Sequence, residues 1–581
     1  MKSRVVQSNW LFFLLIEMLL FLGLNAVAQQ INYLQPQPLT NAIRVSASPY
    51  RDTGTIVVPL ITWGGDVATI FAKEGSIFQQ NGLNVELSRE DKFKAQVEAF
   101  ISGHMPYLRG TMGMINLALE VCKQKGIEVE VIFQMTWSTG GDAIVVRGDR
   151  VKRPADLRGK IVALQLYGPH MDYIANVLQS ANVPISSVTF KYLEELTLPT
   201  YETPQIIDPV NAFTMDESID AVMCIIPDAL MLTSRGNVGT GAEGSVKGAK
   251  ILLSTKTASR IIADVYVVRK DYRTANPQKV DAFVESLLKG QEGLAQLQKN
   301  KGARQGEWQQ LLAKSAEVLL GTPTATQDVE AMLADCTYVG RDGNAKFFSG
   351  KGTTRSLNTL TKEIQRSYKP MGFMSTSVPL SAGGKFAIVP SKSKTSTALS
   401  KPKPKPKPKY DTKKVAAKAA AQIEAEPTVW EEKGTLFIVE INFAPNQSKF
   451  SISEYEGDFE VALGKFDTYG GAVVYVEGHS DPLGVLRAKK QGNKRAEVNQ
   501  MVQVAKNLSQ KRAEAVKKAF IDYCVSRDVW VDDSQFIPLG LGITTPKYNP
   551  PRTEEEWKAN RRVVFRIKQI EAELTEFVEL D

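Results

Sequence analysis

Two ionic side chains carry the sharpest chemical signal in the chain. An apolar alternating run at 472–476 reads as a strand, and it ends in the polar turn Gly478-His479-Ser480-Asp481. A helical pattern follows, with Asn507 and Ser509 as capping-type residues ahead of Arg512, Ala513, Val516 and Phe520. A carboxylate at a strand end and a guanidinium on the next helix can share one small zwitterion. Asp481 would take its ammonium and Arg512 its carboxylate, in a planar fork. On chemistry alone, the commoner reading of such a pair is two solvated surface charges.

The second signal is repeated. Four turns place small or polar residues where a helix begins: Trp63-Gly64-Gly65, Arg109-Gly110-Thr111, Ser138-Thr139-Gly140 and Gly168-Pro169-His170. Pro227-Asp228 opens a further helix after an apolar strand. Helix starts expose unpaired N–H groups and the positive end of the dipole, so they hold anions. Ordinary capping explains any one of them. Four in one region point to a shared cleft, because open α/β sheets bind ligands at strand carboxyl ends. Arg109 and the helix starts favour an anion. His170 reads equally as a donor to it or as a capping residue, and Trp63 as a cleft wall or as core.

The elements that must position these groups alternate. Strand-like runs fall at 55–63, 84–87, 143–147, 161–165, 221–226 and 264–269, with helical patterns over 66–79, 95–101 and from 168 through 181. Residues 53–389 therefore read as one α/β region. Within it, 300–372 is a helical tail wrapping back onto the rest. Residues 29–52 read as a loose N-terminal arm.

Composition bounds the rest. Met1 to Ala28 has a basic start (Lys2, Arg4), an apolar run from Trp10 to Leu24 interrupted by Glu17, and the small residues Ala26 and Ala28. It reads as a signal peptide cut before Gln29, with an uncleaved inner-membrane anchor as the rival. The net charge of +8 is local: ten lysines and one aspartate lie between Ser391 and Lys418, a net of +9, leaving about −1 elsewhere. Nucleic acid is therefore not an expected partner. Alternating Lys and Pro at 401–409 makes 390–431 a spacer, either a stiff polyproline rod or a plain flexible linker, ahead of a domain at 432–573 and a tail at 574–581. The four cysteines are far apart, and Cys122 and Cys224 suit buried free thiols. Three histidines in unrelated contexts suggest no metal site, and no cofactor is expected.

Two resemblances sharpen this. Gly478-His479-Ser480-Asp481, Leu508-Ser509-x-x-Arg512-Ala513 and Asn560-Arg561-Arg562 resemble the OmpA-like peptidoglycan-binding domain over roughly 435–571. The resemblance implies an α+β domain in which Asp481 and Arg512 grip the diaminopimelate of the stem peptide, with Ser480 and Arg562 nearby. The segment between Asp481 and Arg512 is longer than the family's, and the family's Asn falls on Ala505, with Asn499 and Asn507 as alternatives. Upstream, 61–87, STGGDAIVV (138–146), DLRGKIVAL (156–164), the Gly168-Pro169-His170 turn and DAVMCIIPD (220–228) resemble the two-lobed periplasmic binding proteins that serve ABC importers for sulfonates, taurine, nitrate or thiamine precursors. That implies an α/β two-lobed periplasmic-binding-protein fold. Its cleft contacts would be Trp63, Gly64, Arg109, Thr111, Ser138, Gly168, His170 and Asp228. The expected protein is a non-catalytic periplasmic receptor for a small anionic solute, tethered to peptidoglycan and served by a separate ABC permease. The alternative is a structural or sensory envelope protein. No nucleophile–base–acid pattern points to an enzyme.

Overall fold

The computed structural model describes residues 31–197, 207–242, 244–384, 411–432, 435–445 and 452–568. The stretch 1–28 read above as a signal peptide, the Lys-Pro run and the tail 574–581 lie outside the described residues. Among the described residues, no helix is long and apolar enough to cross a membrane.

Residues up to 384 form two lobes. The first is built on a sheet of order β11-β4-β10-β3, with the parallel pair β1-β2 beside it. Its strands are β1 (Ile56–Leu60), β2 (Val85–Arg89), β3 (Tyr107–Thr111), β4 (Val129–Ser138), β10 (Ala263–Arg269) and β11 (Cys336–Tyr338). The second is a sheet of order β7-β6-β8-β5-β9, from β5 (Asp142–Arg147), β6 (Ile161–Gln165), β7 (Thr189–Leu193), β8 (Ala221–Ile225) and β9 (Ala249–Ser254). The chain leaves the first lobe after β4 and returns after β9, so two crossovers join the lobes, at 138–142 and 254–263. The central strands are apolar on both faces because helices cover both sides, as parallel and mixed sheets require. The helix expected over 66–79 breaks at Gly75-Ser76, where Ser76 is left-handed, into Val67–Glu74 and Ile77–Gln80.

The arm is not loose. Leu39 and Ile43 are buried in the main core, and Leu34 N donates to Tyr192 O on β7. Its apolar side chains repay the ordering of a short segment. The helical tail wraps back as expected: β11 pairs with β4, and the helix Leu357–Tyr368 packs on helices of both lobes.

Residues from 412 onward form a second unit. Its sheet has the order β13-β16-β14-β15, from β13 (Thr435–Asn442), β14 (Val473–His479), β15 (Phe536–Gly542) and β16 (Arg562–Lys568). Helices Glu456–Thr468 and Arg495–Ser526 cover one face. The other face is partly covered by residues grouped with the spacer on composition. Helix Thr412–Ala425 buries Ala419 and Ile423, and Trp430 follows, against Val473, Tyr475, Ile537, Leu539 and Leu541. The domain therefore starts about twenty residues earlier than composition suggests, because an Ala-rich helix with apolar residues four apart still makes an apolar stripe.

The two units touch. Buried Asp467 accepts hydrogen bonds from Thr354 N (2.7 Å), Thr354 Oγ1 (2.8 Å) and Thr353 Oγ1 (3.1 Å), and pairs with Arg260. Lys465 Nζ donates to Ser180 O at 2.6 Å.

Candidate functional site

The two crossovers are tied together by side chains. Ser138 Oγ lies 2.6 Å from Asp142 Oδ2 and 2.9 Å from Thr255 Oγ1, and Asp142 N donates to Thr255 Oγ1 at 3.1 Å. His170, the first residue of the helix His170–Ser180, holds Asp142 Oδ1 at 2.8 Å through Nε2. All four residues are buried. Ser138 and His170, both expected to face a solute, thus meet at the junction between lobes. Asp142 stands between them, so serine and histidine are not in the serine–histidine order that activates a nucleophile. The cluster is a hinge tie. Asp142 and Thr255 escaped the sequence reading: each is one polar residue at a strand end, and only the second crossover brings them together.

Two polar atoms here have no partner: His170 Nδ1 and Asp228 Oδ2. Burial pushes the Asp228 carboxyl up to about 6, against a hydrogen bond from Thr197. His170 acts on it weakly in the opposite sense to burial.

The expectation for Arg109 is corrected. Its guanidinium has no exposed surface and is held by Asp66 (2.8 Å to Oδ2) and Asp264 (2.7 Å to Oδ1), with Thr136 Oγ1 donating to Asp264 Oδ2 at 2.8 Å. One cation between two carboxylates leaves no positive charge for an anion. Burial raises Asp66 to about 7 and also raises Asp264, with Arg109 opposing in both. The arginine braces helix start to sheet. Asp66 and Asp264 lie 43 and 155 positions away in sequence, where no local pattern marks them.

The remaining cleft candidates are largely engaged by the chain itself. Thr111 caps the helix Met112–Gln124, accepting from Met114 N at 3.2 Å. A Cβ on Gly64 would lie 2.0 Å from Met332 O, and Tyr338 OH donates to Gly64 O at 2.8 Å. Trp63 Nε1 donates to Thr136 Oγ1 at 3.2 Å, and its ring lies where a Cβ on Gly141 would fall. Thr139 N donates to Asp335 O at 2.8 Å. Segment 332–338 is therefore pressed into the glycine turns Gly64-Gly65 and Gly140-Gly141. Its Asp335 is pushed up to about 6 by burial, with Asp142 adding to the shift. A Cβ on Gly168 would meet Gln165 Oε1 at 2.2 Å, so that turn, too, is closed by a neighbouring side chain.

In the C-terminal unit the sheet brings Asp481 and Arg512 to one end. Glycine makes this possible. A Cβ on Gly478 would lie 2.0 Å from Ser509 O, and one on Gly540 would lie 2.7 Å from Gln510 N. The turn of helix at Ser509-Gln510 therefore sits directly on β14 and β15. Ser509 Oγ accepts from Gly542 N at 2.8 Å, and Ser480 Oγ donates to Ala505 O at 3.0 Å. The backbone carbonyl of Ala505 thus serves Ser480, while Asn507 stays on the surface with Gln503.

Arg512 is buried. Its Nη1 donates to His479 O at 3.2 Å, its Nη2 to Ala444 O at 3.3 Å, and it stacks over Phe443 at 5.2 Å. Burial first, then Arg561, pulls its pKa down to about 10. Asp481 is partly open, with Oδ1 accepting from Leu483 N at 3.0 Å and Oδ2 lying 3.7 Å from Arg561 Nη1. The arginine beside Asp481 is thus Arg561. Arg562 starts β16, lies 3.3 Å from Thr545 O through Nη2, and borders a separate cavity that neither Asp481 nor Arg512 lines. Adjacent residues at a strand edge point to opposite faces, which separates two neighbouring arginines. Among the described residues, no group of three or more acidic, histidine or cysteine side chains is arranged to hold a metal.

Residues 67–299 match the model of the family described as NMT1/THI5 like. No curated protein matches the chain. Among solved structures, the chain is similar to the alkanesulfonate-binding protein SsuA from Xanthomonas axonopodis pv. citri bound to MOPS, at 14% identity and a TM-score of 0.37, covering 56% of this chain and 96% of that one. It is similar to the periplasmic aliphatic sulphonate binding protein SsuA from Escherichia coli at 15% identity and a TM-score of 0.37, covering 56% and 94%. For the periplasmic nitrate-binding protein NrtA from Synechocystis PCC 6803 the values are 14% and 0.33, covering 46% and 66%. The family match covers the stretch from the first lobe, through both crossovers, to the helix Pro277–Lys299.

Proposed function

We propose that the chain is a non-catalytic solute-binding protein of the cell envelope. Its two lobes close on a small solute for an ABC importer, and its C-terminal domain, OmpA-like, holds the diaminopimelate stem of peptidoglycan. The observation that carries the solute reading is the pair of crossovers tied by Ser138, Asp142, Thr255 and His170, a hinge about which two lobes can move. The NMT1/THI5-like match over 67–299 supports it. With Arg109 neutralised, an anionic group would rest on backbone N–H groups at the start of the helix His170–Ser180 and on the unpartnered His170 Nδ1. Asp228, whose Oδ2 has no partner, favours an anion that also carries a donor, such as an amino-sulfonate.

The peptidoglycan reading rests on Asp481, partly open and facing Arg561, next to buried Arg512 at one sheet end. The protein would be periplasmic and peptidoglycan-associated, with the Lys-Pro spacer between its receptor and its anchor.

A thermal-shift panel on the full chain tests the first part, using taurine, alkanesulfonates, nitrate, sulfate, phosphate and pyrimidines. A ligand at a hundred times its Kd adds about 2.7 kcal/mol. No shift with any member would move the assignment to a structural or sensory protein. One observation favours that second reading: segment 332–338 fills the turns that a solute would use. Co-sedimentation with purified sacculi tests the second part. Asp481→Ala and Arg512→Ala should each abolish it, and unchanged sedimentation of both variants rejects the site.

A further inference from the structure

A cavity of about 540 Å³ lies between the two units, away from both the hinge and Asp481. Arg153 and the loop Ser180–Asn182 form one wall, and β13, β16 and Lys465 the other. Five cations line it (Arg153, Lys465, Lys547, Arg562 and Arg566) against two carboxylates, Glu431 and Glu440. Three of the five are answered: Arg566 by Glu477 at 2.8 Å, Lys547 by Glu440 at 3.0 Å and Arg153 by Asp156 at 3.3 Å.

The other two form no ion pair among the described residues, although the carboxylates of Glu440, Glu477 and Glu431 act on Arg562 from a distance. Arg562 is only 6% exposed, and its Nε and Nη1 have no hydrogen-bond partner. Its Nη2 reaches only a backbone carbonyl at 3.3 Å. Lys465 Nζ has a backbone carbonyl, Ser180 O, and the face of Phe437 at 4.2 Å. Burial pulls it down to about 8. Thr435 Oγ1, also on the lining, is buried without a partner. Desolvated cations lacking an anion are costly, and a carboxylate or phosphate completes them through charge-assisted hydrogen bonds.

We propose that this interdomain cavity binds a small organic oxyanion, a carboxylate or phosphate compound, gripped by Arg562 and Lys465. It is a third site, independent of the solute cleft and of the peptidoglycan site. Its walls come from both units, so the bound anion cements their docking alongside Asp467. The apolar floor of Leu436, Phe437 and Val564 suits a molecule with a carbon body rather than a bare ion.

Isothermal titration of the full chain with citrate and with pyrophosphate in 150 mM chloride tests the site. One saturable site per chain is expected for at least one probe, weakened at least tenfold by Lys465→Gln and by Arg562→Gln. The lysine variant guards against misfolding, since Lys465 lies on a helix and outside every strand. In hydrogen exchange, the bound probe should slow amides at 180–182 and at 435–438 together. Absence of a saturable site with both probes, or affinity unchanged in both variants, overturns the proposal. So does protection confined to the hinge region around His170.

Discussion

Replacing Arg109 separates two roles for that residue. In Arg109→Met the side-chain volume is roughly kept, but Asp66 and Asp264 lose their shared cation. Both carboxylates are fully enclosed, and the lost contacts are 2.7–2.8 Å ion pairs. Breaking a buried pair by removing one partner costs about 3–5 kcal/mol. For a unit of this size that corresponds to a fall in Tm on the order of 10 °C. The sign with pH follows from the raised carboxyls. Asp66 has a folded value of about 7, above its unfolded value. Such a group favours folding while protonated, and its contribution is lost as pH rises through the folded value. Removing Arg109 takes away the charge that opposed this rise, so the window extends upward. The deficit should be small below about pH 7 and should grow as pH rises above that value. Thermal denaturation of wild type and variant across pH 4.5–8.5 measures it. A variant as stable as wild type at pH 8 that has lost ligand shifts would refute the brace and restore Arg109 to the cleft.

Other outcomes follow from particular contacts. Gly478→Ala sets a Cβ 2.0 Å from Ser509 O, so it should cost about 1–3 kcal/mol or more and weaken sacculus binding through a displaced Arg512. Guanidinium denaturation with co-sedimentation reads both effects. Asp467→Ala removes the acceptor for Thr353, Thr354 and Arg260, on the order of 3 kcal/mol of docking; small-angle scattering should show a larger radius of gyration. Arg561→Ala should weaken sacculus binding by removing the cation nearest Asp481. Cys122 and Cys524 are pushed up to about 12 by burial and Cys224 well above its ordinary value, so these thiols should resist a disulfide reagent at pH 8 until the chain unfolds.

Strands such as Ile161–Gln165 and Ala221–Ile225 were legible because each is a continuous apolar run bounded by turn residues. The end of β14 was legible for the same reason, but the helix carrying Arg512 runs Arg495–Ser526, so Asn507 and Ser509 lie in its middle and do not cap it: capping-type residues mark a helix start only where the apolar pattern does not continue upstream. The docked arm and the helix Thr412–Ala425 were not, because both carry few apolar residues and their order comes from the surface they land on. The choice between Arg561 and Arg562 was hidden as well: both sit in one motif, and only the edge of β16 sends them to different faces.

By itself the sequence determined the alternation that makes an α/β chain, the confinement of its positive charge to one spacer, and the placing of a carboxylate at a strand end and a guanidinium on a later helix. These are properties of near neighbours, set by side-chain periodicity and composition. The tertiary structure decided which charges remain available. Arg109 is spent on Asp66 and Asp264, Ser138 and His170 on Asp142, while Lys465 and Arg562 border a cavity with no ion pair of their own among the described residues. The charge a buried group offers depends on partners tens to hundreds of residues away, and on the water that folding removes, and neither is written in local spacing.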